Sequence, residues 1–141
     1  DPAMDVNSLK EKDFSGTKAL LVEDNELNMD IAAELLAMIG IETDKAVNGK
    51  EAVDKVREKG EGAYDMIFMD IQMPVMNGYE AAKEIRKTKG EYFSRIPIIA
   101  MSANAFTDDV EKVKEAGMND YISKPVEVDK LIKAIETWHI L

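Results

Sequence analysis

Cysteine is absent from the 141 residues, which removes disulfides, thiolate nucleophiles and cysteine-ligated zinc together. The single histidine, His139, is the third residue from the end, so neither a multi-histidine metal site nor a Ser-His-Asp triad deep in the fold is expected. Positive charge is scarce: Lys+Arg number 18 against 28 Asp+Glu, a net charge of −10. Such a surface repels phosphate backbones and anionic lipid, so no direct nucleic-acid binding and no direct membrane contact are expected. No apolar run approaches the ~20 residues of a membrane span, and no charged-then-apolar signal segment opens the chain. What is present is enough apolar material, 45% of residues, for a real core, at a length that suits one domain. The expected class is a small soluble domain of a reducing compartment.

Residues 1–16 are polar, lack a sustained apolar period and read as a flexible lead-in. Its first four residues, Asp1-Pro2-Ala3-Met4, read as a cloning scar. The domain is expected over 17–141. From Lys18 onward, strand-like and helix-like patterns alternate. Ala19 to Val22 is a continuous apolar run, as a strand buried on both faces would be. Leu27, Ile31, Leu35 and Met38 follow at helical spacing, with Asn25 placed to cap the start and Gly40 to end the helix. Ile41 to Val47 reads as a second strand, and Asn48 can cap a helix carrying Ala52, Val53 and Val56. Tyr64 to Met69 is a third strand ending at Asp70, after which Asn77 can cap a helix through Ile85. Ile96 to Met101 is a fourth strand, with Pro97 tolerable near its start. Thr107, Asp108 and Asp109 signal the start of a fourth helix. Tyr121-Ile122 is a brief fifth strand, and a last helix carries Val128, Leu131, Ile132, Ile135 and Trp138.

Five strand-then-helix units with short joints argue for a doubly wound α/β fold, a parallel sheet with helices on both faces. In such sheets ligands bind beyond the carboxyl ends of the strands. The residues standing there are Glu23 and Asp24 after the first strand, Asp70 after the third, Ser102 after the fourth and Lys124 after the fifth. Each alone has an ordinary explanation as a cap or turn residue; five together at one edge do not. Carboxylates crowded this closely repel unless a cation neutralises them, and Mg²⁺ suits a site of few carboxylates and retained waters.

The segment Met66-Ile67-Phe68-Met69-Asp70-Ile71-Gln72-Met73-Pro74-Val75-Met76-Asn77-Gly78 resembles the phosphorylation-site segment of response-regulator receiver domains. Leu21-Val22-Glu23-Asp24-Asn25, Ala100-Met101-Ser102-Ala103 and Tyr121-Ile122-Ser123-Lys124-Pro125 resemble that family's other motifs in the same order. The resemblance implies five parallel strands in flavodoxin-like order 2-1-3-4-5. It also implies that Asp70 accepts a phosphoryl group from a phosphohistidine. Mg²⁺ would be held by Asp24, Asp70 and the backbone carbonyl of Gln72, with Glu23 acting mainly through water. Lys124 would pair with the acceptor carboxylate, Ser102 would hydrogen-bond the phosphoryl group, and Tyr121 would be the coupled aromatic switch. A cis Lys124–Pro125 bond is implied as well. Glu23 stands where the commoner pair has aspartate, which places its carboxylate one methylene further out. Gln72 and Asn104 occupy positions that tune the lifetime of the acyl phosphate in this family.

The opening Glu23-Asp24-Asn25-Glu26-Leu27-Asn28 resembles that of receivers attached to hybrid sensor histidine kinases, although helix capping alone would also explain Asn25 and Asn28. The expectation is therefore an excised, cytoplasmic receiver without an output domain of its own. Such a receiver would catalyse its own phosphorylation and dephosphorylation, with a histidine kinase dimerisation domain or a histidine phosphotransfer protein as partner. Met29, Met73 and Met76 would offer adaptable apolar contacts near the rim. A free-standing response regulator is the alternative. An aspartyl-phosphate phosphatase would need an Asp where Gln72 stands, and a degenerate binding module would have lost Asp70 or Lys124.

Overall fold

In a computed structural model, which describes residues 14–103 and 107–138, the apolar runs become five parallel strands. These are β1 (Lys18–Val22), β2 (Glu42–Ala46), β3 (Met66–Asp70), β4 (Ile98–Ser102) and β5 (Asp120–Ser123), in the order β2-β1-β3-β4-β5. Five helices alternate with them: α1 (Glu26–Met38), α2 (Gly49–Lys59), α3 (Gly78–Lys87), α4 (Thr107–Glu115) and α5 (Val128–Trp138). A further single helical turn, Glu91–Arg95, precedes β4 and buries Phe93; no sequence signal had separated it from the preceding loop. Asp1-Pro2-Ala3-Met4, Asn104 and His139 lie outside the described residues, as do the side chains of Thr107, Asp108 and Asp109.

β3 and β4 are buried along their whole length, and β1 from Ala19 onward, because helices cover both faces. Alternate residues serve two cores. Leu20, Val22, Ile67, Met69, Ile98 and Ala100 pack toward α2, α3 and α4, through residues such as Val53, Val56, Ala82, Ile85 and Val113. Ala19, Leu21, Met66, Phe68, Ile99 and Met101 pack toward α1 and α5, through Met29, Ala32, Leu36, Leu131, Ile132 and Ile135. Phe14, placed in the lead-in by sequence, packs against this second core, and its N–H donates to the Ile39 carbonyl at 2.8 Å.

Capping follows the expected residues. Asn25, Asn48 and Asn77 each accept from a backbone N–H of the first turn, and Asn77 forms a reciprocal capping box with Glu80. Strand ends differ by one or two positions. The expected strand over Ile41 to Val47 is Glu42–Ala46, and Ile96 and Pro97 precede β4 rather than opening it.

The largest departure concerns α1. Its buried residues are Met29, Ala32 and Leu36, whereas Leu27, Ile31 and Met38 are 67%, 45% and 60% exposed. Two apolar stripes run along this helix; the one holding Met29, Ala32 and Leu36 faces the sheet, and Leu35 of the other is partly buried against the same core. Met29 is therefore core rather than rim, while Met73 and Met76 are partly buried against the first core.

The β3–α3 connection folds back on the strand it leaves. Gly78 N–H donates to the Ile71 carbonyl at 2.8 Å, and a Cβ at Gly78 would stand 2.4 Å from the Asp70 carbonyl oxygen and 2.9 Å from Ile71 Cα. Since both obstacles are backbone, a side chain cannot be admitted without shifting the strand. Gly78→Ala should lower stability by about 1–3 kcal/mol, the usual cost of overpacking. The check is the urea midpoint at constant m-value; an unchanged midpoint would mean that the connection yields freely.

Candidate phosphoacceptor cleft

All strands point the same way, so their carboxyl ends share one edge. β1 runs straight into Glu23 and Asp24, β3 ends on Asp70, β4 ends on Ser102, and Lys124 follows β5 directly. These residues, with Asn25, Asn28, Ile71, Gln72 and Ala103, line a cavity of about 230 Å³. The structure thus brings together every residue that the sequence places in the site, apart from Tyr121. A second, larger hollow of about 820 Å³ opens from the same Gln72 and Ser102 toward α3 and α4.

Burial within the cleft is uneven. Glu23, Asp70 and Ser102 are buried, whereas Asp24 is exposed at the mouth. Ligand oxygens of Glu23, Asp24 and Asp70 all lie within 4.8 Å of one another. Lys124 Nζ reaches between two of them, 2.7 Å from Glu23 Oε1 and 3.1 Å from Asp70 Oδ2. The expected pairing of Lys124 with Asp70 is present, but the shorter contact is with Glu23. The extra methylene of Glu23 serves to reach the ammonium rather than to carry the carboxylate outward. Asn25 N–H adds a weaker bond to Glu23 Oε2 at 3.4 Å.

The two buried acids titrate in opposite directions. Burial, a hydrogen bond to Glu23 and that carboxylate's charge push Asp70 up to about 7, against the opposing pull of Lys124. Burial also acts on Glu23, but its hydrogen bonds to Asp70 and Lys124 outweigh it and hold the group below the ordinary value. Lys124 is raised: burial lowers it, and the bonds and charges of Glu23 and Asp70 more than offset that. One ammonium facing three carboxylates leaves the cluster about two charges short of neutrality. A hard divalent cation among oxygen donors fits that deficit and this spacing.

Ser102 pairs with Ser123 across the β4–β5 ladder, and Ala100 pairs with Tyr121. Because side chains alternate along strands, Tyr121 lies on the same sheet face as Ser102, the face that α4 covers. Tyr121 is 36% exposed. The Lys124–Pro125 peptide bond is cis, as expected. Among the described residues, no helix is long and apolar enough to cross a membrane.

The family model of the response regulator receiver domain matches residues 19–136. The osmosensing histidine protein kinase SLN1 of Saccharomyces cerevisiae is 42% identical over 125 residues, covering 86% of this chain but 10% of that protein. Hybrid signal transduction histidine kinase G of Dictyostelium discoideum is 44% identical over 116 residues, 81% of this chain and 3% of its own length. The chain thus spans a small part of these relatives. Among solved structures, the receiver domain of sensor histidine kinase PA1611 from Pseudomonas aeruginosa, with a magnesium ion in its active-site cleft, superposes with a TM-score of 0.78 at 39% identity. That match covers 88% of this chain and 98% of that one. The Saccharomyces cerevisiae Ssk1 receiver domain, solved together with the phosphotransfer protein Ypd1, gives a TM-score of 0.77 at 35% identity, covering 89% and 90%. With the strand order, the acidic cleft and these matches in agreement, the chain belongs to the response-regulator receiver domain family.

Proposed function

We propose that the chain is the phosphoacceptor receiver of a two-component phosphorelay, with Asp70 as nucleophile. The observation that carries this reading is a buried strand-terminal carboxylate 3.1 Å from an ammonium and within 4.8 Å of two further acids. An ionised Asp70 oxygen attacks the phosphorus of a phosphohistidine. The P–N bond breaks, its electron pair returns to the imidazole, and no general base is required. Asp24, Asp70 and the Gln72 carbonyl would hold Mg²⁺, with Glu23 acting through water and through Lys124. When bound, the ion supplies positive charge against the crowded carboxylates and phosphoryl oxygens. Lys124 neutralises a second share of that charge, and Ser102 is positioned to donate to a phosphoryl oxygen once one is present. An inward movement of the Ser102 hydroxyl toward that oxygen would vacate space behind it, which Tyr121 could fill, changing the face formed by α4 and β5.

The donor is a helical protein bearing a phosphohistidine. Leu27, Ile31 and Met38 form an exposed apolar stripe on α1, and Ile31 and Ala32 line a hollow of about 290 Å³ with Met101, Pro125 and Val126, beside Glu23 and Lys124. A helix laid there would bring its phosphohistidine to the cleft. The kinase relatives support origin within a hybrid histidine kinase, and a relay fed by ATP would operate in the cytoplasm.

Asp70→Asn should accept no label from a phosphohistidine donor or from phosphoramidate, since the amide offers no anionic oxygen. Label retained on that variant would overturn the proposal. Ile31→Glu should slow transfer from phosphorylated Ypd1 by about tenfold or more while leaving phosphoramidate labelling unchanged, because a charge in the apolar contact costs about 1–3 kcal/mol. Equal slowing with both donors would remove α1 from the docking surface.

Asp70 also sets a pH dependence. Its folded-state pKa lies above the unfolded value, so the stability it contributes is full below about pH 4 and is lost as pH rises through about 7. In metal-free buffer at pH 8, Asp70→Asn should therefore melt several degrees above the wild type, with the gap shrinking at pH 5. Mg²⁺ at pH 8 should raise the wild type and close the gap from the other side. Calorimetric scans at the two pH values check this, and a pH-independent gap would count against the charge argument.

A further inference from the structure

Arg86, the next-to-last residue of α3, makes three hydrogen bonds and no ion pair among the described residues. Its Nε donates to the Gly117 carbonyl at 2.9 Å, Nη1 to the Phe93 carbonyl at 3.0 Å and Nη2 to Asn119 Oδ1 at 2.9 Å. The same Asn119 oxygen accepts from Ile98 N–H at 2.9 Å. All of these acceptors are neutral. A largely buried cation held by dipoles alone is costly to desolvate, so its persistence depends on how well those acceptors are placed.

The acceptors belong to three separate joints of the fold. Gly117 closes α4: its N–H reaches the Lys114 carbonyl and Met118 N–H reaches the Val113 carbonyl, each at 3.0 Å, with Gly117 at φ +90°. A Cβ at Gly117 would stand 2.8 Å from Arg86 Cγ, so the arginine stem occupies the space that a side chain there would need. Asn119 leads into β5 two residues before Tyr121, and Phe93 lies in the helical turn that precedes β4. At its other end, α3 begins at Gly78, packed against the backbone of Asp70 and Ile71. A ten-residue helix, about 15 Å long, thus runs from the end of the phosphoacceptor strand to the base of α4.

We propose that Arg86 is a positioning residue for the switch. By tying the Gly117 end of α4 and the entry to β5 to α3, it makes that end a pivot. A displacement beginning at Ser102 is then delivered to the surface carrying Tyr121, rather than dissipated by α4 and β5 shifting together. This role rests on the reading of Asp70 as acceptor and of Ser102 and Tyr121 as the switch pair.

The test compares wild type, Arg86→Met, Arg86→Lys and Asn119→Ala by two measurements. One is the rate of Asp70 phosphorylation by phosphoramidate; the other is the change in Tyr121 and Ile122 amide shifts on adding Mg²⁺ and beryllofluoride. Arg86→Met should be phosphorylated within about twofold of the wild-type rate yet show less than about half the shift change, with Arg86→Lys and Asn119→Ala intermediate. Full shift changes in folded Arg86→Met and Asn119→Ala would overturn the proposal. So would a parallel loss of phosphorylation and shift, which marks Arg86 as support for the fold alone. Should Arg86→Met not fold, Asn119→Ala decides: a reduced shift with intact phosphorylation supports the role, and an undiminished one overturns it. A wild type that is phosphorylated without any Tyr121 response would refute the switch, and this role with it. A wild type that cannot be phosphorylated would refute the receiver reading.

Discussion

The ammonium of Lys124, held between Glu23 and Asp70, is the interaction around which the molecule is organised. Its partners are 101 and 54 positions away in sequence, and only the parallel winding of the sheet brings them to one edge. A helix or a hairpin could present two such groups; five consecutive βα units present one from nearly every strand. The contact leaves the charge unbalanced, since one ammonium pairs with two carboxylates and a third, Asp24, stands beside them. Burial, together with the bond and charge of Glu23, raises Asp70 to about 7 against the pull of Lys124. A site balanced by lysine alone would be more stable and would have less need of a divalent cation or of an incoming phosphoryl group with its metal.

Legibility in the sequence followed the physics of each feature. The β1, β3 and β4 runs were plain because strands buried on both faces leave no polar positions to confuse the pattern, and the three asparagine caps were plain because capping is local chemistry. The buried face of α1 was not. Leu27, Ile31, Leu35 and Met38 repeat at helical spacing, and so do Met29, Ala32 and Leu36; periodicity cannot say which stripe meets the sheet. Contact with the sheet decides between them, and that is a property of the folded chain. Leu27, Ile31 and Met38, which remain outside, are then available to a partner.

Within the cleft, the identities of Glu23, Asp24, Asp70, Ser102 and Lys124 could be read from their places at strand ends. The distribution of contacts among them could not. That Glu23 rather than Asp70 takes the shorter bond to Lys124 depends on side-chain reach inside a buried space, which spacing in sequence does not encode. Arg86 was invisible for a related reason. On a helix of mixed charge it reads as one more solvated cation, and only the folded chain shows its acceptors to be carbonyl and amide oxygens of three separate joints.

The cleft's backbone is stiffly held where the acceptor stands. Gly78 is pressed against Asp70 and Ile71, Ile71 N–H donates to the Met101 carbonyl at 3.1 Å, and Glu23 N–H donates to Ala46 at 3.0 Å. The following loop is tied down in turn. Val75 sits at φ +69°, a conformation that costs a β-branched residue about 1–3 kcal/mol. Its neighbours hold it there: Met76 N–H reaches the Pro74 carbonyl at 2.7 Å, and the Met76 carbonyl accepts from Gly49 N–H at 3.0 Å. With the backbone beneath Asp70 fixed in this way, a charge added at that carboxylate cannot be absorbed by moving the strand. The response must pass to the side chains facing it, Lys124 and Ser102, and from there to elements that Asp70 itself does not touch.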